Sequence, residues 1–371
     1  MIVADQTKSL TDTKQHFEIL DGLRGVAAIA VVIFHFMESI TPVIKENFIG
    51  HAYLAVDFFF CLSGFVIAYA YDAKFSQIGV ATFLKLRIIR LHPLVIIGSL
   101  LGLVCFALDP FSSLFSEYSG KTLAMFITSC LMIPYPAVEE RYFNLFHLNP
   151  PTWSLFWEYV ANIFYALFLV KIRNRALWCL FAIAAMALCF EAVRSNHLLG
   201  GWGIDNIMAG GIRVFYSFLA GILVYRMNWI IKNRLGFVSL SLLLSIAFLM
   251  PFSGKLNWLN DSLTVLIYFP FLVALGAGAS LKPAFEKVCR FSGGISYPLY
   301  MVHYPFLWIF HSYVLQNKPS VSEMTIITIV GVPALVAFAY CVMTFVDIPV
   351  RKYLKNKLAR KTMQYQNEQS N

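Results

Sequence analysis

Arg24 and His35 lie in one apolar run, LDGLRGVAAIAVVIFH, and both are costly to place in a helix surrounded by lipid. They are 11 positions apart, so in an α-helix they differ by about three turns plus 20° and share one face. At about 1.5 Å per residue, roughly 16 Å separates them along the helix axis. This face carries a cation near one end and a proton acceptor near the other, which favours a long substrate.

The composition is that of a polytopic membrane protein. Hydrophobic residues make up 59% of the 371 positions and charged residues 13%, with a mean hydropathy of +0.68, whereas soluble domains carry about 25% charged residues. The net charge of +9 comes from lysines and arginines in short loops between apolar segments, so we expect a lipid bilayer and no nucleic-acid partner. The seven cysteines show no disulfide or metal spacing and are expected to be packing residues.

The apolar pattern predicts an all-α polytopic membrane protein with about ten transmembrane helices, since about 20 apolar residues cross the hydrocarbon. A further segment, Thr122–Ile133, is only 12 residues long and runs into Pro134, so we expect a re-entrant or interfacial helix there. The expected spans are Leu20–Phe36, Tyr53–Tyr71, Leu91–Leu108, Trp153–Val170, Leu177–Phe190, Ile212–Tyr225, Phe237–Phe252, Leu263–Ala279, Ile295–Ser312 and Ile326–Val346.

The basic residues orient these spans. With this arrangement, 22 of the 29 lysines and arginines fall on one side of the membrane and 7 on the other, so the basic side is assigned to the cytoplasm. Both termini are then cytoplasmic: residues 1–19 are an N-terminal segment, 20–350 the transmembrane domain, and 351–371 a basic tail expected to be partly disordered. Arg24 lies near the cytoplasmic end of the first span and His35 toward its outer end. The expected location is the inner (plasma) membrane.

Five segments, in this order, resemble the acyltransferase-3 family of integral-membrane acyltransferases: LDGLRGVAAIAVVIFH, AVDFFFCLSGFVIAY, RIIRLHP, TWSLFWEYVANIFYALF and GISYPLYMVH. The resemblance covers the chain from about Leu20 to Tyr353, and its most specific element is the Arg-x10-His run joined to DxFFxLSGF. It implies that residues 20–350 are an acyltransferase domain. Such a domain moves an acyl group, commonly acetyl from acetyl-CoA, to a hydroxyl of an extracytoplasmic or exported glycan or another acceptor.

The resemblance also implies residue roles. Arg24, Arg87 and Arg90 would bind the phosphates of an acyl-CoA co-substrate entering from the cytoplasm, because guanidinium groups bind phosphate bidentately. His35 would take the proton from the acceptor hydroxyl as that oxygen attacks the thioester carbonyl. The simpler alternatives are interfacial anchors for the arginines and a hydrogen-bonded packing residue for His35. The histidines lack metal-binding spacing, so we predict no metal.

Two acidic residues inside the spans, Glu158 and Asp57, are candidate catalytic residues that orient or charge-stabilise His35, as a carboxylate does behind a catalytic imidazole. Glu158 is expected near the depth of His35, and the sequence does not rank the two acids. The alternative for Glu158 is a structural ion pair, for example with Arg213. For His303, in the ninth span, a structural role and a site role are equal alternatives.

The competing functional hypothesis is a transporter or flippase of a glycan or acyl carrier, with Arg24, His35 and Glu158 as a relay. The sequence lacks the internal repeat that is common in secondary transporters, which weighs against this hypothesis. Under the acyltransferase hypothesis, aromatic residues in the outward loops are candidates for the acceptor platform. These residues are Tyr135, Tyr142, Phe143 and Trp202.

Overall fold

The computed structural model describes residues 16–370, and it describes side chains as far as Arg360. This part of the chain is all-helical, with 79% helix and no strands. The α-helices are α1 (Glu18–Ile40), α2 (Ala55–Tyr71), α3 (Phe75–Ala107), α4 (Leu114–Glu117), α5 (Thr122–Cys130), α6 (Thr152–Phe164), α7 (Asn174–Ser195), α8 (Ile207–Arg226), α9 (Phe237–Phe248), α10 (Asn257–Leu263), α11 (Phe269–Gly278), α12 (Pro283–Val302), α13 (Tyr304–Asn317), α14 (Val321–Val342) and α15 (Ile348–Ser370). The π-helical turns Tyr165–Leu169, Thr264–Tyr268 and Met343–Asp347 extend α6 and join α10 to α11 and α14 to α15.

The chain is a multi-pass membrane protein. Within the described residues, six helical runs are long and apolar enough to cross a bilayer: Glu18–Ile40, Gly50–Ala107, Asn174–Ser195, Ile207–Arg226, Gly254–Gly278 and Val321–Arg360. The 58-residue run Gly50–Ala107 includes both α2 and α3, and therefore two of the expected spans. The total of about ten spans stays a prediction, as does the cytoplasmic location of both termini.

The expected span Ile295–Ser312 is not one continuous helix. Helix α12 ends at Val302 and α13 begins at Tyr304, with His303 at the break. Pro305 follows at the start of α13, where it has no backbone N–H to donate and its ring obstructs the preceding helical turn. The break places His303 at a corner between two helices.

Helices α1 and α12 pack closely and run in the same direction. A Cβ atom on Gly25 would lie 1.8 Å from Ser292 Oγ, and one on Gly22 would lie 2.8 Å from Cys289 Sγ. Glycines allow two backbones to approach this closely, as is common between membrane helices. Farther along both helices, His35 packs against His303. The contacts therefore follow the same order along α1 and α12, so the two helices run parallel.

Helices α2 and α8 form a second parallel pair. A Cβ atom on Gly64 would lie 2.1 Å from the carbonyl oxygen of Phe218, so Gly64 permits close helix packing. At the start of both helices, Asp57 of α2 pairs with Arg213 of α8. The order of these contacts shows that α2 and α8 run in the same direction.

The segment after α3 does not cross the bilayer as a helix. Helix α5 has 9 residues, and about 14 Å of helix is shorter than the hydrocarbon thickness of about 30 Å. It packs on α3, where the hydroxyls of Ser99 and Ser129 lie 2.8 Å apart.

At the other end of the chain, the basic tail is helical as far as Ser370.

Candidate functional site

His35 lies on the wall of a cavity of about 400 Å³. The cavity is bounded by the C-terminal part of α1, by the loops before α6 and α8, and by the start of α13. His35 is partly exposed, so its ring is accessible from the cavity. A titratable side chain on the wall of a concave, mostly apolar pocket marks a candidate active site.

Glu38 orients the His35 ring. It follows His35 by three positions, so the two side chains share a face of α1, and His35 Nδ1 lies 2.5 Å from Glu38 Oε2. A carboxylate only accepts hydrogen bonds, so Nδ1 carries the proton and Nε2 of the neutral ring is free to accept one. Glu38 is not among the site residues predicted from the sequence, although its spacing of three positions from His35 is a signal for this contact.

Two residues at the break between α12 and α13 complete the surroundings of His35. The His303 ring stacks on it with centroids 5.6 Å apart, and the Tyr304 ring meets it edge-on at 4.8 Å. His303 is fully buried and its Nδ1 lies 3.0 Å from the carbonyl oxygen of Leu299. His303 is thus part of the packing that holds His35, and it does not line the cavity.

The cavity has a strongly aromatic wall. Two of the four residues expected to form an acceptor platform, Tyr142 and Trp202, line it, whereas Tyr135 and Phe143 do not. The other aromatic residues of the wall come from several separate segments, and they are Phe34, Tyr53, Trp153, Tyr300, Tyr304 and Trp308.

A second group of polar residues surrounds Arg24, at the other end of the α1 face that carries His35. Arg24 donates hydrogen bonds to Asp21 Oδ1 at 3.0 Å and to Ser296 Oγ of α12 at 3.2 Å. It lies within electrostatic range of Arg90 and Glu158. Arg87 shares this environment and interacts with both of those residues. The three arginines predicted to bind the donor therefore form one cluster.

Glu158 belongs to this arginine cluster and does not contact His35. Its Oε1 accepts a hydrogen bond from Arg87 at 2.7 Å and another from the Ser63 hydroxyl at 3.0 Å. The predicted role of Glu158 in orienting His35 has no contact to support it among the described residues, where the carboxylate bonded to His35 is Glu38. The alternative ion pair of Glu158 with Arg213 is wrong, because Arg213 pairs with Asp57.

Asp57 is the partner of Arg213 in a sealed ion pair. Arg213 NH2 lies 2.6 Å from Asp57 Oδ2, and the two side chains are 1% and 0% exposed. Arg213 also donates to the carbonyl oxygens of Gly200 at 2.7 Å and Tyr53 at 3.0 Å. Asp57 does not contact His35, so the structure gives it the surroundings of a scaffold residue.

The chain belongs to the acyltransferase-3 family. The family model, described as an acyltransferase domain, matches residues 17–346. This match includes α1, the arginine cluster and the His35 cavity.

Three curated relatives are similar to this chain, and two of them carry acyltransferase names. "Protein 2 in picA locus" of Rhizobium radiobacter is 35% identical over 193 residues, which are 48% of this chain and 95% of that protein. A Staphylococcus aureus (strain COL) protein named as an O-acetyltransferase is 23% identical over 376 residues, covering 94% of this chain. Acyltransferase MdmB of Streptomyces mycarofaciens is 30% identical over 191 residues, 48% of this chain.

The matched part of the staphylococcal protein is 60% of its length, and that of MdmB is 46%. No solved structure matches the chain. The family and these relatives define the chain as a membrane-bound acyltransferase and support acyl transfer to a hydroxyl.

Proposed function

We propose that this protein transfers an acyl group, with acetyl as the expected one, from cytoplasmic acyl-CoA to a hydroxyl of an extracytoplasmic or exported glycan. The observation that carries this proposal is the pairing of two sites on α1: an arginine cluster around Arg24, and a histidine–glutamate pair on a cavity wall. Roughly 16 Å of helix separates Arg24 from His35. A pantetheine-like arm can span this length, so phosphates at the cluster would allow the thioester to approach His35.

The arginine cluster is proposed to hold the donor's phosphates. Arg24, Arg87 and Arg90 provide guanidinium groups, which suit bidentate phosphate binding. Two carboxylates accept hydrogen bonds from this cluster, Asp21 from Arg24 and Glu158 from Arg87. Phosphates would replace part of these contacts, so the carboxylates act as place-holding counter-ions.

His35 is proposed to be the general base. Its Nε2 takes the proton of the acceptor hydroxyl while that oxygen forms a bond to the thioester carbonyl carbon. When the tetrahedral intermediate collapses, the carbon–sulfur bond breaks, and the imidazolium returns its proton to the departing thiolate of CoA. Glu38 keeps the ring in the required orientation and stabilises the imidazolium that forms between these two proton transfers.

The cavity is proposed to receive the acceptor. Its volume of about 400 Å³ lies within the roughly 300–1,000 Å³ of small-molecule pockets. Aromatic faces such as those of Trp153 and Trp202 suit the C–H face of a sugar ring, and Asn47 and Asn144 on the same wall offer polar groups to hydroxyls. With both termini in the cytoplasm, this cavity faces outward across an inner (plasma) membrane.

The geometry also argues against a relay of Arg24, His35 and Glu158 in a transporter. His35 bonds to Glu38, whereas Glu158 bonds to Arg87 and Ser63. These contacts divide the three residues between two sites, which favours separate roles for His35 and Glu158 over a shared relay.

The proposal is tested with the purified full-length protein, radiolabelled acetyl-CoA and glycan fractions from the native cell envelope. His35→Ala is expected to abolish transfer of label to the glycan while the protein level stays normal. His197→Gln serves as the matched histidine control, because His197 lies outside the cavity lining, and it is expected to retain activity. Wild-type transfer by His35→Ala would overturn the proposed mechanism.

A further inference from the structure

Arg141 is a buried cation close to the proposed acceptor cavity. It ends the short helical turn Glu139–Arg141 in the loop between α5 and α6, and only 4% of the residue is exposed. Its guanidinium carbon lies 4.8 Å from the centroid of the Phe106 ring and 4.6 Å from that of Trp308. Contacts of this kind with aromatic faces stabilise a cation, but they supply no negative charge.

No carboxylate pairs with Arg141 in the part of the chain that the structure describes. Asp109 is close enough to interact electrostatically, but it does not form an ion pair with Arg141. Asp109 Oδ1 accepts the Phe111 backbone N–H at 3.0 Å, and Oδ2 has no hydrogen-bond partner. Burial lowers the pKa of the Arg141 guanidinium to about 10, so the group keeps its charge at neutral pH.

Besides Arg141, two arginines of the described residues are buried, and both have carboxylate partners: Arg213 pairs with Asp57 and Arg87 with Glu158. Arg226, which is partly exposed, pairs with Asp72 at 2.7 Å. A buried charge without a partner is costly. Within the described residues, Arg141 is therefore the buried arginine that no directly bonded carboxylate neutralises.

The position of Arg141 indicates which ligand this is. Tyr142, which follows it directly, lines the His35 cavity, and so does Trp308, whose ring the guanidinium contacts. Arg141 also interacts electrostatically with Tyr304, whose ring packs against His35. Arg141 is not itself on the cavity wall and lies directly behind residues that form it, whereas the donor cluster lies around Arg24.

We propose that Arg141 binds an oxyanion of the acceptor, a carboxylate or a phosphate, so that the substrate is an anionic glycan rather than a neutral one. This inference rests on the proposed function, because it takes the cavity to be the acceptor site. A guanidinium between two aromatic faces is well suited to hold a carboxylate or a phosphate through paired hydrogen bonds.

The test is binding of three sugar probes to the purified full-length protein, measured as shifts in melting temperature and as affinities. The probes are methyl β-glucuronide, glucose 1-phosphate and the neutral methyl β-glucoside. We expect at least one anionic probe to bind at least tenfold more tightly than the glucoside. Arg141→Gln should remove this preference, and Arg141→Lys should keep part of it. If the protein prefers only the glucuronide, the site accepts a carboxylate; if it prefers only glucose 1-phosphate, the site accepts a phosphate.

Two further variants serve as controls. One tests whether Arg141 binds the anion rather than only supporting the fold, and the other tests whether anion binding is independent of acyl transfer. Asp109→Asn removes a nearby negative charge, so it should strengthen binding of the anionic probe. His35→Ala should leave the anion preference unchanged, even though it abolishes transfer. The inference is overturned if wild type shows no preference for anionic probes, or if Arg141→Gln keeps that preference. Retained acetyl transfer with no anion preference would contradict this inference alone.

Discussion

Two arginine–carboxylate pairs that join helices of this protein differ in how far they are shielded from solvent. Arg213–Asp57 joins α8 to α2 with side chains 1% and 0% exposed, whereas Arg87–Glu158 joins α3 to α6 with side chains 10% and 19% exposed. Their closest N–O distances are nearly equal, 2.6 and 2.7 Å. Distance alone therefore does not separate a scaffold contact from one that a substrate can displace.

The surroundings of the two pairs explain the difference. The Arg213 guanidinium bonds to Asp57 and to two backbone carbonyls, so its hydrogen-bonding groups have partners and a phosphate would gain nothing there. Arg87 has an unpartnered Nε atom, and the exposed Arg90 lies nearby. The first pair is built to fix two helices, and the second has unused capacity to bind an anion.

The largest expected effect is on stability, at the sealed pair. Asp57→Asn leaves the Arg213 charge buried without compensation, which costs about 3–5 kcal/mol. We expect a markedly lower melting temperature in detergent and little folded protein. Asp72→Asn, at the more exposed Arg226 pair, is the matched control and should destabilise less. If Asp57→Asn keeps the wild-type melting temperature but loses acyl transfer, Asp57 has a catalytic role rather than a structural one.

The next effect is on donor binding, at the displaceable pair. Arg87→Ala should raise the KM for acyl-CoA by about tenfold to a hundredfold, since hydrogen bonds to charged groups contribute about 1.5–3 kcal/mol. Steady-state kinetics with varied acyl-CoA measures this change. Lys85→Ala, an exposed cation on the same helix, is the control and should change KM little. An unchanged KM in Arg87→Ala would show that this arginine does not bind the donor and would favour the alternative of an interfacial anchor.

A smaller effect is expected for Arg90→Ala. Arg90 is exposed, so solvent and salt screen its interaction with phosphate more than that of Arg87. We expect the KM for acyl-CoA to rise only severalfold, with an effect that shrinks as salt is added. Titration of KM against ionic strength measures this, and a salt-independent loss of kcat would contradict the assigned role.

The smallest effect is expected on removal of the counter-ion. Glu158→Gln keeps a hydrogen-bond acceptor for Arg87 but removes the charge that competes with phosphate. The KM for acyl-CoA should therefore stay the same or fall severalfold, with the folded protein retained. A rise in this KM comparable to that of Arg87→Ala would show that Glu158 supports donor binding in a way that the ion pair does not explain.

Much of this organisation could be predicted from the sequence. The membrane class follows from composition, and the common face of Arg24 and His35 follows from helical periodicity. Both residues do contact the same neighbouring segment: Arg24 bonds to Ser296, and His35 packs on His303. Local spacing along one helix is therefore a reliable guide to which side chains face together.

The partners of the acidic residues could not be predicted, because they depend on how helices are placed relative to one another. The expected depth of Glu158 assumed that its span starts at the membrane surface near Trp153. In the structure, residues 144–155 are all buried, so α6 begins inside the protein and Glu158 reaches the arginine cluster. The contact of Glu38 with His35 is local, so helical spacing could predict it, but Glu38 lies just beyond the apolar run in which an acidic residue is costly and therefore conspicuous.

Glu38, and not Glu158 or Asp57, is proposed as the carboxylate that positions His35, the proposed general base. Measuring kcat for Glu38→Gln and Glu158→Gln at saturating acyl-CoA tests this role. Glu38→Gln is expected to lower kcat about a hundredfold with little change in donor KM, within the range by which positioned proton transfer accelerates reactions, while Glu158→Gln is expected to change kcat only a few-fold. A large loss of kcat in Glu158→Gln with near-normal turnover in Glu38→Gln would show that Glu158 has this role instead.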